Sequence, residues 1–363
     1  VNAQVLILEA PNQLVPREIE LPELGPGEAI LRVDACGLCG TDHEMFSGAL
    51  PASLPLVPGH EVIGTIESAT PEFQQARRLV EGDRLALEVF QRCGECGPCR
   101  SDNYLLCRRH GLPDSYGARP LSSGSGLWGG YATHMVLSAD CLTHPVPSGL
   151  DPALATLFNP LGAGVRWGVT LSQVKPGDVV AVLGPGLRGL STVIAASAAG
   201  AEFILLTGAG QRDEPRLALG RTLGASEAVD VTRVDAKKLL KQRTGGLADV
   251  VVDVTAAAPE AFTQALDLVR PGGTVVIAGS RGTHTLSQFN PDRIVAKEIT
   301  IVGARGVDGP AYQRALELLA ADDRFAAIPR STAPLEAGAV ADLLGAMAHG
   351  TNPPLHAVIV PGS

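Results

Sequence analysis

The sequence predicts an α/β protein: a β-rich first part followed by a doubly wound parallel sheet. Three observations predict this. Up to about residue 155 the apolar runs are short, β-prone and broken by Gly, Pro and Asp. From about residue 170, short apolar runs of the buried-strand type alternate with helical stretches, the rhythm of a parallel sheet. Finally, Gly184, Gly186 and Gly189 form a Gly-x-Gly-x-x-Gly run between one such strand and one such helix.

Taken in order, "AQVLIL", "EAILRVDACG", "HEVIGTIESA" and "GDRLALEVF" read as the strands of the first part, each bounded by turn-forming residues. In the second part the strands are "DVVAVLG", "EFILLTG", "EAVDV", "ADVVVDVT", "GTVVIAG" and "ITIVGA". Their runs of Val and Ile suit strands buried on both faces. Between them "GLSTVIAASAAG", "EPRLALGRTLG" and "PEAFTQALDLV" read as helices. The tail, 307–363, holds two helical stretches and a last strand, "LHAVIV". No internal repeat or low-complexity segment interrupts the pattern.

Composition excludes several function classes. The chain of 363 residues has a formal net charge of −9 and no basic stripe, so the electrostatic footprint of a nucleic-acid binder is missing. No apolar run reaches the roughly 18 residues of a membrane span. The N-terminus, "VNAQVLILEAP", lacks a basic segment followed by an apolar one, so the expected compartment is the cytoplasm.

The stretch "RCGECGPCRSDNYLLCRR" places Cys93, Cys96, Cys99 and Cys107 in one polar loop, spaced C-x2-C-x2-C-x7-C. In a reducing compartment disulfides are rare, and seven cysteines cannot all pair within one chain. Four clustered thiolates suit a structural zinc ion, and an iron–sulfur cluster uses similar spacings.

The glycine run reads as a dinucleotide site. Gly184 makes the tight turn, Gly186 admits a pyrophosphate, and Gly189 packs helix on strand. Leu187 and Arg188 open the helix whose N-terminus faces the phosphates. At the end of the next strand, "FILLTGAGQRDEP", Gly208 stands where an acid on the ribose 2′-hydroxyl is expected, and Arg212 follows. Without that carboxylate a 2′-phosphate is not repelled, and an arginine can grip it, so the loop favours NADP over NAD by a narrow margin. On the other reading Asp213 or Glu214 contacts the ribose.

"DACGLCGTDHEMFSG" carries Cys36, Cys39, Thr41, Asp42, His43 and Glu44, and "PLVPGHEVIG" carries His60 and Glu61. The order "GLCGTD", then "GHE" with its histidine 21 positions after Cys39, then the cysteine loop, then Gly-x-Gly-x-x-Gly, closely resembles the zinc-dependent medium-chain alcohol and polyol dehydrogenases. The resemblance spans nearly the whole chain. It implies a GroES-like β-barrel catalytic domain of residues 1–158 with 307–363 returning to it, a Rossmann domain of residues 159–306, and an active site in the cleft between them. It also implies Zn²⁺ at two sites per chain. Cys93, Cys96, Cys99 and Cys107 match the structural ligands; Cys39 and His60 match the catalytic ones, with Glu61 beside them.

The family's third catalytic ligand, cysteine or the acid of an "EPL"-like motif, is matched here by Asn159 of "TLFNPLGAGVRW". A neutral amide is a poor zinc ligand. The expectation is therefore Cys39, His60, Glu61 and one water or substrate oxygen, with Asn159 hydrogen-bonding that oxygen from outside. Thr41 matches the hydroxyl that starts the family's proton relay, His43 or Glu44 is the outer base, and Asp42 orients a ligand. Trp128, Tyr131 and Val89 line the substrate cleft or belong to the core.

The implied activity is NAD(P)-dependent interconversion of an alcohol, polyols and sugar-like secondary alcohols among the candidates, with its carbonyl compound, by a homodimer or homotetramer. A zinc-independent quinone or enone reductase on the same scaffold is the first alternative. A zinc-ribbon nucleic-acid-binding protein is a more distant one.

Overall fold

Strand pairing in the N-terminal part follows the apolar runs. The computed structural model describes residues 1–286, 289–349 and 353–362. The first strands are β1 (Asn2–Ala10), β2 (Gln13–Glu20), β3 (Ala29–Leu38), β4 (Glu61–Ala69), β5 (Arg84–Leu87), β6 (His134–Leu137) and β7 (Thr143–Pro145). β1 and β2 form an antiparallel hairpin, whereas β3 pairs with both β4 and β6. β3 alternates buried apolar residues with Arg32 and Asp34, and its end, Ala35–Leu38, is buried throughout. The register sets Gly37 opposite Glu61, so the ends of the two strands that carry the reactive motifs lie side by side.

The second part adds β8 (Val179–Leu183), β9 (Phe203–Gly208), β10 (Glu227–Asp230), β11 (Ala248–Asp253), β12 (Val269–Ile277) and β13 (Thr300–Gly303). They form one parallel sheet in the order β10-β9-β8-β11-β12-β13. The chain moves outward from β8 to β10, then returns to the other side of β8 at β11. That reversal defines a topological switch point, where open α/β sheets bind their ligands beyond the strand ends. The three expected helices are present as Leu187–Ala198, Glu214–Thr222 and Glu260–Leu268, and Ala236–Thr244 adds a fourth.

In the tail, helices Gly309–Ala321 and Ala337–His349 flank β14 (Arg330–Ala333), and β15 (His356–Ile359) comes last. β15 runs antiparallel to β3, pairing Ile359 with Cys36, so the tail joins the first sheet. The contacts divide the chain into two units, Val1–Asn159 with Val307–Ser363, and Pro160–Gly306. Each unit has its own apolar core. Trp128 and Tyr131 lie in the first core, and Val89 is half-buried. Among the described residues no helix is long and apolar enough to cross a membrane.

Candidate active site and metal centres

β3 delivers Cys39 to the N-terminus of the helix Gly40–Ser47, where it is the capping residue. Asp42 closes the cap, its Oδ2 accepting from the Cys39 N–H at 2.8 Å. The other carboxylate oxygen lies 3.4 Å from His60 Nδ1. One buried aspartate thus holds both the turn carrying the cysteine and the histidine ring. His60 is brought in by Gly59, at φ +95°, where a Cβ would sit 2.6 Å from the Tyr131 ring and 2.8 Å from the Cys36 sulfur. No residue with a side chain fits that corner.

The ligand atoms of Cys39, His60 and Glu61 all lie within 4.8 Å of one another, and all three residues are buried. A thiol, an imidazole and a carboxylate at this spacing suit zinc and leave a fourth position. Burial disfavours a charged His60 ring, but Asp42 and then Cys39 outweigh it and hold its pKa well above the ordinary value. A cation entering between these groups therefore displaces a proton.

Thr41 joins this cluster, its Oγ1 3.8 Å from the Cys39 sulfur. His43 and Glu44 follow in the same helix, both half-buried. Asn159 reaches the cluster at Glu61, with Nδ2 donating to Oε1 at 2.8 Å. Its Oδ1 accepts from the Tyr312 hydroxyl at 2.9 Å, a partner that no sequence motif marked.

In the cysteine loop the four sulfurs also lie within 4.8 Å of one another. Cys93 and Cys99 are 3.8 Å apart, and Cys96 and Cys107 are 3.9 Å apart. Disulfides would bring sulfurs to about 2.05 Å. Thiolates about 2.3 Å from one tetrahedral ion stand about 3.8 Å apart, as here. The cage of an iron–sulfur cluster would hold them wider. Backbone N–H groups of Arg108 and His110 point at Cys96 and Cys107, each at 3.4 Å. Burial raises the Cys107 pKa, but the His110 N–H and other backbone donors prevail and bring it to about 6. Burial and a shared proton with Cys96 push Cys99 up to about 12.

The second unit carries a crevice of about 760 Å³ at the switch point. Its walls include Gly184 and Gly186 after β8, Thr207 and Gly208 at the end of β9, and Thr255 after β11. Gly186 caps the helix whose first turn holds Leu187 and Arg188, the latter 5.0 Å from the Trp167 ring centroid. At Gly189 a Cβ would meet the Gly184 carbonyl at 1.8 Å, so only glycine lets this helix approach the strand end. Arg212 and Arg216 both line the crevice beside Gly208. The acids nearby bind backbone: Asp213 accepts from the Ala209 N–H at 2.9 Å, and Asp230 from the Gly210 N–H at 3.0 Å.

Comparison with known proteins places this assembly. Residues 25–148 match the alcohol dehydrogenase GroES-like domain, and residues 189–321 the zinc-binding dehydrogenase domain. The chain is 51% identical over 362 residues to "Probable alcohol dehydrogenase adh" of Mycobacterium tuberculosis, covering 99% of this chain and 98% of that one. It is 32% identical to a sorbitol dehydrogenase of Halalkalibacterium halodurans, over 83% of both chains. Among solved structures, a protein described as a zinc-binding dehydrogenase from Sinorhizobium meliloti 1021, bound to NADP, superposes with a TM-score of 0.84 at 27% identity, covering 99% of this chain and all of that one.

The chain belongs to the zinc-dependent medium-chain alcohol dehydrogenase family, a GroES-like domain joined to a Rossmann domain. It is a zinc-containing oxidoreductase that interconverts an alcohol with its aldehyde or ketone, passing hydride to or from NAD(P).

Proposed function

We propose that Cys39, His60 and Glu61 hold a catalytic zinc and that Cys93, Cys96, Cys99 and Cys107 hold a structural one, two ions per chain, in a cytoplasmic enzyme acting on polyol-like secondary alcohols. The observation that carries this reading is the pair of separate ligand sets, one of four thiols and one of three mixed groups with a position open. The likeness to a sorbitol dehydrogenase supports the substrate class.

Zinc in the three-ligand set supplies Lewis acidity that lowers the pKa of an alcohol substrate. Asp42 aims His60 and ties down the Cys39 turn, while Asn159 aims Glu61. Thr41 takes the alcohol proton, and His43 or Glu44 passes it outward. A panel of polyols, sugars and simple alcohols, followed by nicotinamide absorbance and paired with zinc analysis, tests the reading. Two zinc ions per active chain and turnover of polyols support it. A single zinc in the fully active enzyme, or turnover confined to primary alcohols, overturns the corresponding part.

For the cofactor, the two arginines beside Gly208 and the engagement of Asp213 and Asp230 with backbone support NADP. Arg212→Ala and Arg216→Ala should each raise KM for NADP by about tenfold, the equivalent of one charge-assisted hydrogen bond, and leave KM for NAD nearly unchanged. Equal effects on both cofactors would sink this assignment. Gly208→Asp is a poorer probe, because its Cβ would meet Asp213 Cβ and Pro185 Cγ at 2.9 Å.

The outer strand β13 leaves Ile301 37% exposed. That supports a homodimer or homotetramer paired along this edge, which sedimentation of the purified enzyme will measure.

A further inference from the structure

Asn159 departs from the family's ligand pattern, and its surroundings suggest what replaces the missing ligation. Glu61, Asn159 and Tyr312 form a buried row within one unit, respectively 2%, 4% and 0% exposed. The direction of the row is set by chemistry. A carboxylate only accepts, so the Asn159 amide must turn its NH2 towards Glu61 Oε1. Its carbonyl oxygen then faces Tyr312, whose phenol must donate. Reversing the amide would set two acceptors against each other at Glu61.

Tyr312 is itself held firmly. It stands in the first turns of the helix Gly309–Ala321, and its ring packs 5.2 Å from Phe158 and 5.7 Å from His144. The N–H of Gly309 donates to the Tyr104 hydroxyl at 2.6 Å. Tyr104, inside the cysteine loop, donates in turn to the buried Glu88 at 2.6 Å, and the other oxygen of Glu88 lies 2.7 Å from His144 Nε2. The start of the helix is thus tied into a satisfied polar network, and the phenol aimed at Asn159 inherits that order.

We propose that Tyr312 is a positioning residue for the reaction: by holding the Asn159 amide it fixes the Glu61 carboxylate beside Cys39 and His60. The proposal rests on the reading of those three residues as the catalytic metal set. A glutamate has three side-chain torsions to freeze, and two successive hydrogen bonds from an anchored helix freeze them before any cation arrives.

Tyr312→Phe removes one oxygen and keeps the ring packing. Release of the catalytic zinc to a chelator, kcat, KM for both substrates and thermal midpoint are compared for Tyr312→Phe, Asn159→Ala and the double variant. Tyr312→Phe should release that zinc and lower kcat by about tenfold, the scale of losses around metal ligands, with KM for the nicotinamide cofactor and the thermal midpoint nearly unchanged. Because the two residues act in series, the double variant should be no worse than Asn159→Ala alone. Zinc release and kcat within twofold of the native enzyme overturn the proposal. So does a double variant in which the two losses multiply. Cys39→Ser separates this from the underlying reading: if that variant keeps both its zinc ions and its turnover, the metal set itself is wrong, whatever Tyr312→Phe does.

Discussion

Replacing Cys39 with serine is expected to cut turnover by about a thousandfold or more, the several kcal/mol that a Lewis-acid metal contributes to catalysis. The argument runs from the helix start. Cys39 sits where the N–H groups and dipole of Gly40–Ser47 favour an anion. A thiolate is a strong zinc ligand, whereas a serine hydroxyl does not ionise and binds zinc poorly. His60 and Glu61 alone are too few to hold the ion. The fold should survive, since the cap depends on the Asp42 carboxylate and the Cys39 backbone N–H, both retained in the variant. Metal analysis should fall from two zinc ions per chain to one, with the thermal midpoint shifted by only a few degrees. A variant that keeps two ions would show that Cys39 is not a ligand.

Much of the architecture was legible because it is written in local patterns. Each of the six strands from β8 to β13 coincides with an apolar run, and the three glycines stand at the strand–helix junction that their spacing requires. The strands β6 and β7 escaped as well as three elements whose signal is weak. β2 contains Pro16 and is mostly exposed or half-buried. The helix Ala236–Thr244 carries three lysines and an arginine, with Ala236 and Leu240 its buried residues. β14 is four residues long and three of them are polar.

The candidate site divides the same way. Cys39, His60, Glu61 and the four loop cysteines were readable as motifs, and the structure brings each set together. Arg216 was missed although it follows Arg212 by four positions, the spacing at which two residues share a helix face. Tyr312 had no local signal. It stands 153 positions from Asn159, and only the folding of the tail onto the first unit joins them. Trp128 and Tyr131, readable as cleft or core, lie in the core. Aromatic residues near glycines look alike in both settings until packing is known.

The second large effect is on stability. The segment from Cys93 to Cys107 has little regular structure of its own, a four-residue helix at Gly97–Arg100 and a single turn at Tyr104–Leu106. Its apolar support is small: Phe90, Tyr104 and Leu105 pack around the sulfurs. So short a loop cannot offset its own ordering entropy by burial, and on the proposed reading an ion held by the four thiolates supplies the difference. Cys99 is the most buried of the four, and its carbonyl accepts from Arg92 at 2.9 Å. Cys99→Ser removes one ligand at the centre and leaves a polar hydroxyl in its place. The expected cost is about 3–5 kcal/mol, in the range for losing a buried metal or charge network. For a chain of this size that lowers the thermal midpoint by about 5 °C. Tyr104, which anchors the helix bearing Tyr312, lies in the same loop, so a smaller fall in kcat should accompany the loss of stability. Scanning calorimetry, zinc analysis and turnover at a temperature where the variant is still folded check the three parts together. Unchanged melting with both ions retained would show that Cys99 holds no metal; unchanged melting with one ion lost would show that the loop folds without it.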